Sequence, residues 1–125
     1  MVGVRAATVT DLPDVMNVLD GAVLEADAAA VRDHIADDAV LVAVTDDDRN
    51  RVLGALVLDG VFIDAVAVRR RRRGQGIGTA LVEAAGERRE RLTASFDADL
   101  RPFYEGLDFD IEPTGDPGRL WGKRE

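Results

Sequence analysis

Apolar positions recur along this chain at two spacings, and the change from one spacing to the other marks out the elements. Arg5-Ala6-Ala7-Thr8-Val9 predicts a short first strand, and Thr10 then offers an N-cap, with Asp11 and Asp14 in the first helical turn. Leu12, Val15, Met16, Leu19, Ala22 and Val23 follow at helical spacing, so one face is apolar. A second helix is expected from Asp27 to about Asp37, with Ala28, Val31 and Ile35 inward and His34 beside that stripe as a surface residue. Residues 39–44 form an apolar strand, 45–50 a charged turn and 52–58 the returning strand. Asp59-Gly60 is a two-residue hairpin signal, so residues 61–68 make a third antiparallel strand, apolar on both faces apart from Asp64. A helix is expected from Ile77 to about Arg91, a strand over 92–97, a short helix over 100–107, and closing strands over 109–112 and 119–122. The order β-α-α-β-β-β-α-β-α-β-β describes a layered α/β (or α+β) fold with one mixed sheet.

Length changes the picture little: 125 residues make one domain, 1–125, without repeat or linker. No apolar run approaches the roughly 18–20 residues of a membrane span, and Met1 to Arg5 lack a secretory layout, so a cytoplasmic protein is expected. With 0 Cys and 1 His there is no disulfide framework, no thiolate metal site and no cysteine nucleophile, and no metal is expected. The net charge is −8, from 17 Asp and 7 Glu against 15 Arg and 1 Lys. That Asp-rich, Lys-poor balance suits a halophilic protein, in which dense carboxylates hold water and salt screens their repulsion. A salt titration by circular dichroism tests this, and full folding without added salt refutes it. Asp46-Asp47-Asp48-Arg49-Asn50 only faintly resembles a calcium loop, since Arg51 and Val57 stand where the sharp-turn Gly and the bidentate Glu belong.

The chemistry concentrates in Arg69-Arg70-Arg71-Arg72-Arg73-Gly74-Gln75-Gly76-Ile77-Gly78, between an apolar strand and a helix. Alternate glycines let a backbone turn tightly and aim several N–H groups at one point, and the helix N-terminus adds its unpaired donors. The result is a concavity for an anion such as pyrophosphate. A dinucleotide fingerprint would need Gly or Ala at Thr79 or Leu81, and a phosphate-binding P-loop would need a lysine between Gly78 and Thr79. Arg73-Gly74-Gln75-Gly76-Ile77-Gly78 instead resembles the R/Q-x-x-G-x-G/A motif of the GNAT superfamily of N-acetyltransferases. Ala67-Val68 resembles the end of that family's fourth strand, and Arg101-Pro102-Phe103-Tyr104-Glu105-Gly106-Leu107-Asp108-Phe109 resembles its P-F-Y-E-x-L-G-F segment. The order of elements is similar over essentially the whole chain.

The resemblance implies a mixed, mostly antiparallel sheet with helices on both faces, its fourth and fifth strands splayed to hold acetyl-CoA as co-substrate. Val66, Ala67 and Val68 would offer backbone groups to the pantetheine and thioester. Gly74, Gln75, Gly76, Ile77, Gly78 and Thr79 would wrap the pyrophosphate, with Arg73 adding charge. The acceptor would be a primary amine of a small molecule or peptide, and only its neutral form attacks the thioester. At pH 7 a lysine-like amine is less than about 0.1% neutral, so a base matters. Asp64 shares a face with Val66 and Val68 by the period of a strand, which makes it a candidate base or amine-binding carboxylate. A backbone N–H near Val68 would hold the oxyanion, and Tyr104 matches the position of the general acid in many relatives. Asp97 stands in place of a cofactor-touching Asn, and Asp108 in place of the Gly of L-G-F, where a different turn geometry is expected. The alternative is an acyl-CoA-binding sensor that has lost turnover. Nucleic acid is not the expected partner: five clustered cations sit in a chain of net charge −8 with a single Trp and a single Tyr to stack on bases. A homodimer is compatible with this reading.

Overall fold

In the computed structural model, which describes residues 2–21, 27–45 and 51–125, the chain runs through eleven strands and helices. They are β1 (Val2–Ala6), α1 (Leu12–Gly21), α2 (Ala28–Ala36), β2 (Val40–Thr45), β3 (Val52–Asp59), β4 (Phe62–Val68), α3 (Ile77–Arg88), β5 (Leu92–Asp97), α4 (Arg101–Glu105), β6 (Asp110–Pro113) and β7 (Arg119–Arg124). The strands form one sheet in the order β1-β2-β3-β4-β5-β7-β6, antiparallel throughout except for β4 beside β5. This is the mixed, mostly antiparallel sheet with helices on both faces that the sequence suggested. The tip at 46–50, and the inward places given to Ala22 and Val23, lie outside the described residues.

Two apolar cores lie against the two faces. On one, Val15, Val18 and Leu19 of α1 and Val31 and Ile35 of α2 cover Val40, Val42 and Val57; Ala28 is exposed. On the other, Ile77, Leu81, Val82 and Ala85 of α3 and Tyr104 of α4 cover Leu41, Leu56, Ala94 and Phe96. β2 and β3 are therefore buried on both sides, which explains their near-continuous apolar runs.

Three local expectations change. The first strand ends at Ala6, not Val9, and Thr8, not Thr10, precedes the turn Val9–Asp11 that leads into α1. The reason is Asp11, 8% exposed: its carboxylate accepts from the Thr8 N–H (2.8 Å) and from both terminal nitrogens of Arg5 (2.7 and 3.0 Å). The Arg5 guanidinium holds that carboxyl below its ordinary pKa. Next, Asp59 pairs with Phe62, so Gly60 (φ +61°) and Val61 form the hairpin loop and β4 starts one residue late. Last, the β3–β4 register slips at Val57/Leu58, which leaves Asp64 without a ladder partner. Ile63, Val66 and Val68 consequently all pack on the α3 side. Alternation from Ile63 places Asp64 with Phe62 on the opposite face, away from Val66 and Val68.

Candidate active site

The site starts from a failure of pairing. β4 meets β5 only through Phe62↔Thr93 and Ile63↔Ala94; beyond them β5 pairs with β7 alone, up to Asp97↔Arg119. On the α3 side this gap opens into a cleft of about 620 Å³. Its walls are the end of β4 (Val66, Ala67, Val68), the turn that follows, the start of α3 and Tyr104 of α4. α3 sits close to the sheet because Gly54 of β3 has no side chain: a Cβ there would stand 2.9 Å from the Ala67 carbonyl oxygen and 3.2 Å from Ile77 and Leu81.

Two glycines make the turn. Gly74 (φ +77°) and Gly76 (φ +82°) occupy the left-handed region, which costs an L side chain roughly 1–2 kcal/mol. Gly76 is the N-cap of α3, and the first helical bond runs from the Ala80 N–H to its carbonyl (3.0 Å). The N–H groups of Ile77, Gly78 and Thr79 precede that bond, so all three first-turn donors are available at the cleft wall. Arg73 also lines the cleft, its Nε donating to the Val68 carbonyl (3.1 Å), which ties the turn back to the strand. Gln75 is exposed and, like Asp64, stands outside the residues lining the cleft.

Tyr104 closes the opposite wall. Its ring stacks on Phe96 (4.0 Å, 17°) and meets Phe103 and Phe109 edge-on at 5.0 and 5.1 Å, and the residue is 3% exposed. Burial raises the phenol above its ordinary pKa, so it stays protonated as a donor. The ring is held by core packing while the residue faces the cleft.

On the sheet's other face, beside the same gap, Phe62 stacks with Trp121 of β7 (6.0 Å, 19°) and Asp64 is exposed. Asp97 pairs with Arg119 (3.1 Å), and Arg119 also donates to the Ser95 hydroxyl (3.1 Å). Asp97 is outside the cleft lining, engaged in holding β5 to β7. Asp108 takes a left-handed φ of +65°, a region that Gly enters more freely than Asp.

A sequence profile of the acetyltransferase (GNAT) domain matches residues 33–111, from α2 through the cleft-forming elements to β6. The chain belongs to the GNAT acetyltransferase family. Solved structures agree in fold. Rv2747 of Mycobacterium tuberculosis, in complex with CoA, superposes with a TM-score of 0.83 at 18% identity, covering 97% of this chain and 97% of that one. An Arabidopsis thaliana protein in complex with the bisubstrate analogue CoA-Ac-MVNAL gives 0.78 at 16% identity, covering 99% and 98%. N-acetylglutamate synthase from Neisseria gonorrhoeae, complexed with coenzyme A and N-acetyl-glutamate, gives 0.79 at 16% identity over 99% of this chain and 35% of that one. No curated protein matches the chain by sequence.

In this GNAT chain the cleft also contains Arg72, Leu100 and Phe103, which motif reasoning did not assign to the site. Leu100 had no usable signal, since only the fold leaves this large apolar side chain 47% exposed in the cleft lined by Phe103 and Tyr104. Arg72 had none, because five consecutive arginines look alike until the backbone turns. Among the described residues no cluster of three acidic or histidine side chains could hold a metal ion, and no helix is long and apolar enough to cross a membrane.

Proposed function

We propose that the chain is an acetyl-CoA-dependent N-acetyltransferase acting on a primary amine of a small molecule or peptide. One observation carries the reading: the glycine turn's donors, the unpaired edge of β4 and the Tyr104 phenol line one cleft, and that cleft begins where β4 and β5 part. The fit to acetyl-CoA rests on this chemistry. The Ile77, Gly78 and Thr79 N–H groups at a helix N-terminus suit a pyrophosphate, with Arg73 and Arg72 adding charge. Val66 and Val68 lack a β5 neighbour, and strand edges suit the amides of a pantetheine arm. Gln75, exposed beside the turn, would contribute its backbone alone. CoA bound to the Mycobacterium and Neisseria proteins of the same fold supports the assignment.

When bound, acetyl-CoA supplies an acetyl thioester: the amine nitrogen forms the C–N bond, the C–S bond breaks, and the thiolate leaves. The chain's residues serve that exchange from two sides. Tyr104, protonated and rigidly stacked, gives its proton to the departing sulfur. The N–H near Val68 receives the negative charge that develops on the carbonyl oxygen. The amine would arrive from the face of Phe62 and Trp121, where Asp64 would attract its cationic form and take up the proton that frees the nucleophile, directly or through water; the N–H proton shed after attack would replace the one Tyr104 gives to sulfur. A cytoplasmic, salt-adapted enzyme suits the acidic, cysteine-free composition.

The test is release of free thiol from acetyl-CoA with polyamines, amino acids, aminoglycosides and N-terminal peptides as acceptors, run in high salt. Acceptor-dependent release with an acetylated product is expected. Tight acetyl-CoA binding without release against any amine would replace the enzyme with a sensor.

A further inference from the structure

The run of arginines is only partly used by the cleft. At the end of the sheet, beneath the C-terminal end of α1, a second cavity of about 630 Å³ is lined by Arg51, Arg69, Arg70, Arg71 and Arg72, with Asn17 of α1. Among the described residues it contains none of the glycine turn and no Tyr104, and it shares only Arg72 with the cleft. We propose that this cavity is a second anion site that takes a compact phosphate-bearing ligand of the pyrophosphate class.

Three observations carry the proposal. The chain's net charge is −8, yet five arginines line one concavity and no acidic side chain is among the described residues lining it. Such crowding is unfavourable unless an anion answers it. The donors are also uncommitted. Among the described residues Arg51, Arg70 and Arg71 make no ion pair, and the buried Nε of Arg72 has no hydrogen-bond partner. Finally, part of the group is already fixed: Arg69 Nε donates to the Val52 carbonyl (2.7 Å), so its two terminal nitrogens are positioned before any ligand arrives. Among the described residues the lining has no aromatic side chain, which disfavours stacked bases and points to a small polyanion.

The experiment is calorimetric titration of the whole chain with inorganic pyrophosphate, at the lowest salt in which it is folded. Arg51→Ser combined with Arg71→Ser removes two exposed arginines that line this cavity alone. Pyrophosphate affinity should fall by about ten-fold or more, the scale of lost hydrogen bonds to a charged group, with the circular dichroism spectrum unchanged. Gly76→Asp, which blocks the glycine turn, should leave intact the pyrophosphate binding that depends on Arg51 and Arg71. The inference is overturned if pyrophosphate shows no binding at millimolar concentration, or if the double variant binds as wild type does. Loss of binding in Gly76→Asp would assign the anion to the cofactor cleft instead. Sulfate binding as tightly at matched ionic strength would mark a diffuse ion atmosphere. An oligothymidylate binding far more tightly than pyrophosphate, with the same arginine dependence, would make this a nucleic-acid surface.

Discussion

At its first two residues, Phe62 and Ile63, β4 is paired on both edges, to Asp59 and Leu58 of β3 and to Thr93 and Ala94 of β5. At its last three, Val66 to Val68, it is paired with β3 alone. Both ends are apolar, and Ile63 at one and Val66 and Val68 at the other pack against the same α3-side core. What differs is where the neighbouring strand goes: Ser95 to Asp97 stay with Trp121 to Arg119 of β7, fastened by the Asp97–Arg119 ion pair. Tyr104, stacked on Phe96, then lines the space between. Buried backbone donors and acceptors need partners. At the closed end a strand supplies them, and at the open end a ligand can. The same strand is closed on both edges at one end and open on one edge at the other.

Four substitutions break or sharpen that contrast, taken from the largest effect down. Gly76→Asp puts a carboxylate at the open end, where the pyrophosphate would sit. No atom lies within 4 Å of the new Cβ, so the strain is the left-handed φ of +82°, worth roughly 1–2 kcal/mol, and the fold should survive. Acetyl-CoA binding by calorimetry should disappear; unchanged affinity in a folded variant would remove the turn from the site. Tyr104→Phe keeps the stacked ring and deletes one hydroxyl. Turnover should fall by about 10²–10³ while acetyl-CoA affinity stays within a few-fold, the signature of an interaction made in the transition state. Because burial raises the phenol's pKa, the wild-type rate should begin to fall only above the ordinary phenol range, and the variant should lack that alkaline limb.

At the closed end the expectation reverses. Ile63 is 4% exposed, and Ile63→Ala should lower unfolding free energy by about 2–5 kcal/mol in a denaturant titration. Acetyl-CoA affinity per folded molecule should hold, and a specific loss of affinity would show that the two ends are not separable. The smallest effect is expected away from both ends. Asp108→Gly relieves a left-handed φ of +65° and adds unfolded-state entropy, leaving a gain of about 0.5 kcal/mol with kinetics unchanged.

Much of the site was legible because its pieces are contiguous. Arg73 to Thr79 form one turn whose glycine spacing states its own geometry, and Phe103-Tyr104 lies in one short segment. Asp64 was misplaced because it is itself the extra residue of a bulge in β4, facing the junction of Val57 and Leu58 of β3, and counting by twos along β4 takes no account of an inserted residue. Thr8 and Asp11 were misjudged for a similar reason: the decisive partner of Asp11 is Arg5, six residues back on β1.

Local periodicity and backbone chemistry alone determined the order of strands and helices, the apolar runs of β2 and β3, and the glycine turn. These depend on residues a few positions apart, where sterics and hydrogen-bond reach are set by the covalent chain. Tertiary structure alone decided where β5 leaves β4, which face Asp64 occupies, that Leu100 and Arg72 join the cleft, and that five arginines border a second cavity. Each of those is a meeting of distant segments, fixed by how two cores fill the two faces of one twisted sheet. Packing, unlike periodicity, has no local signature.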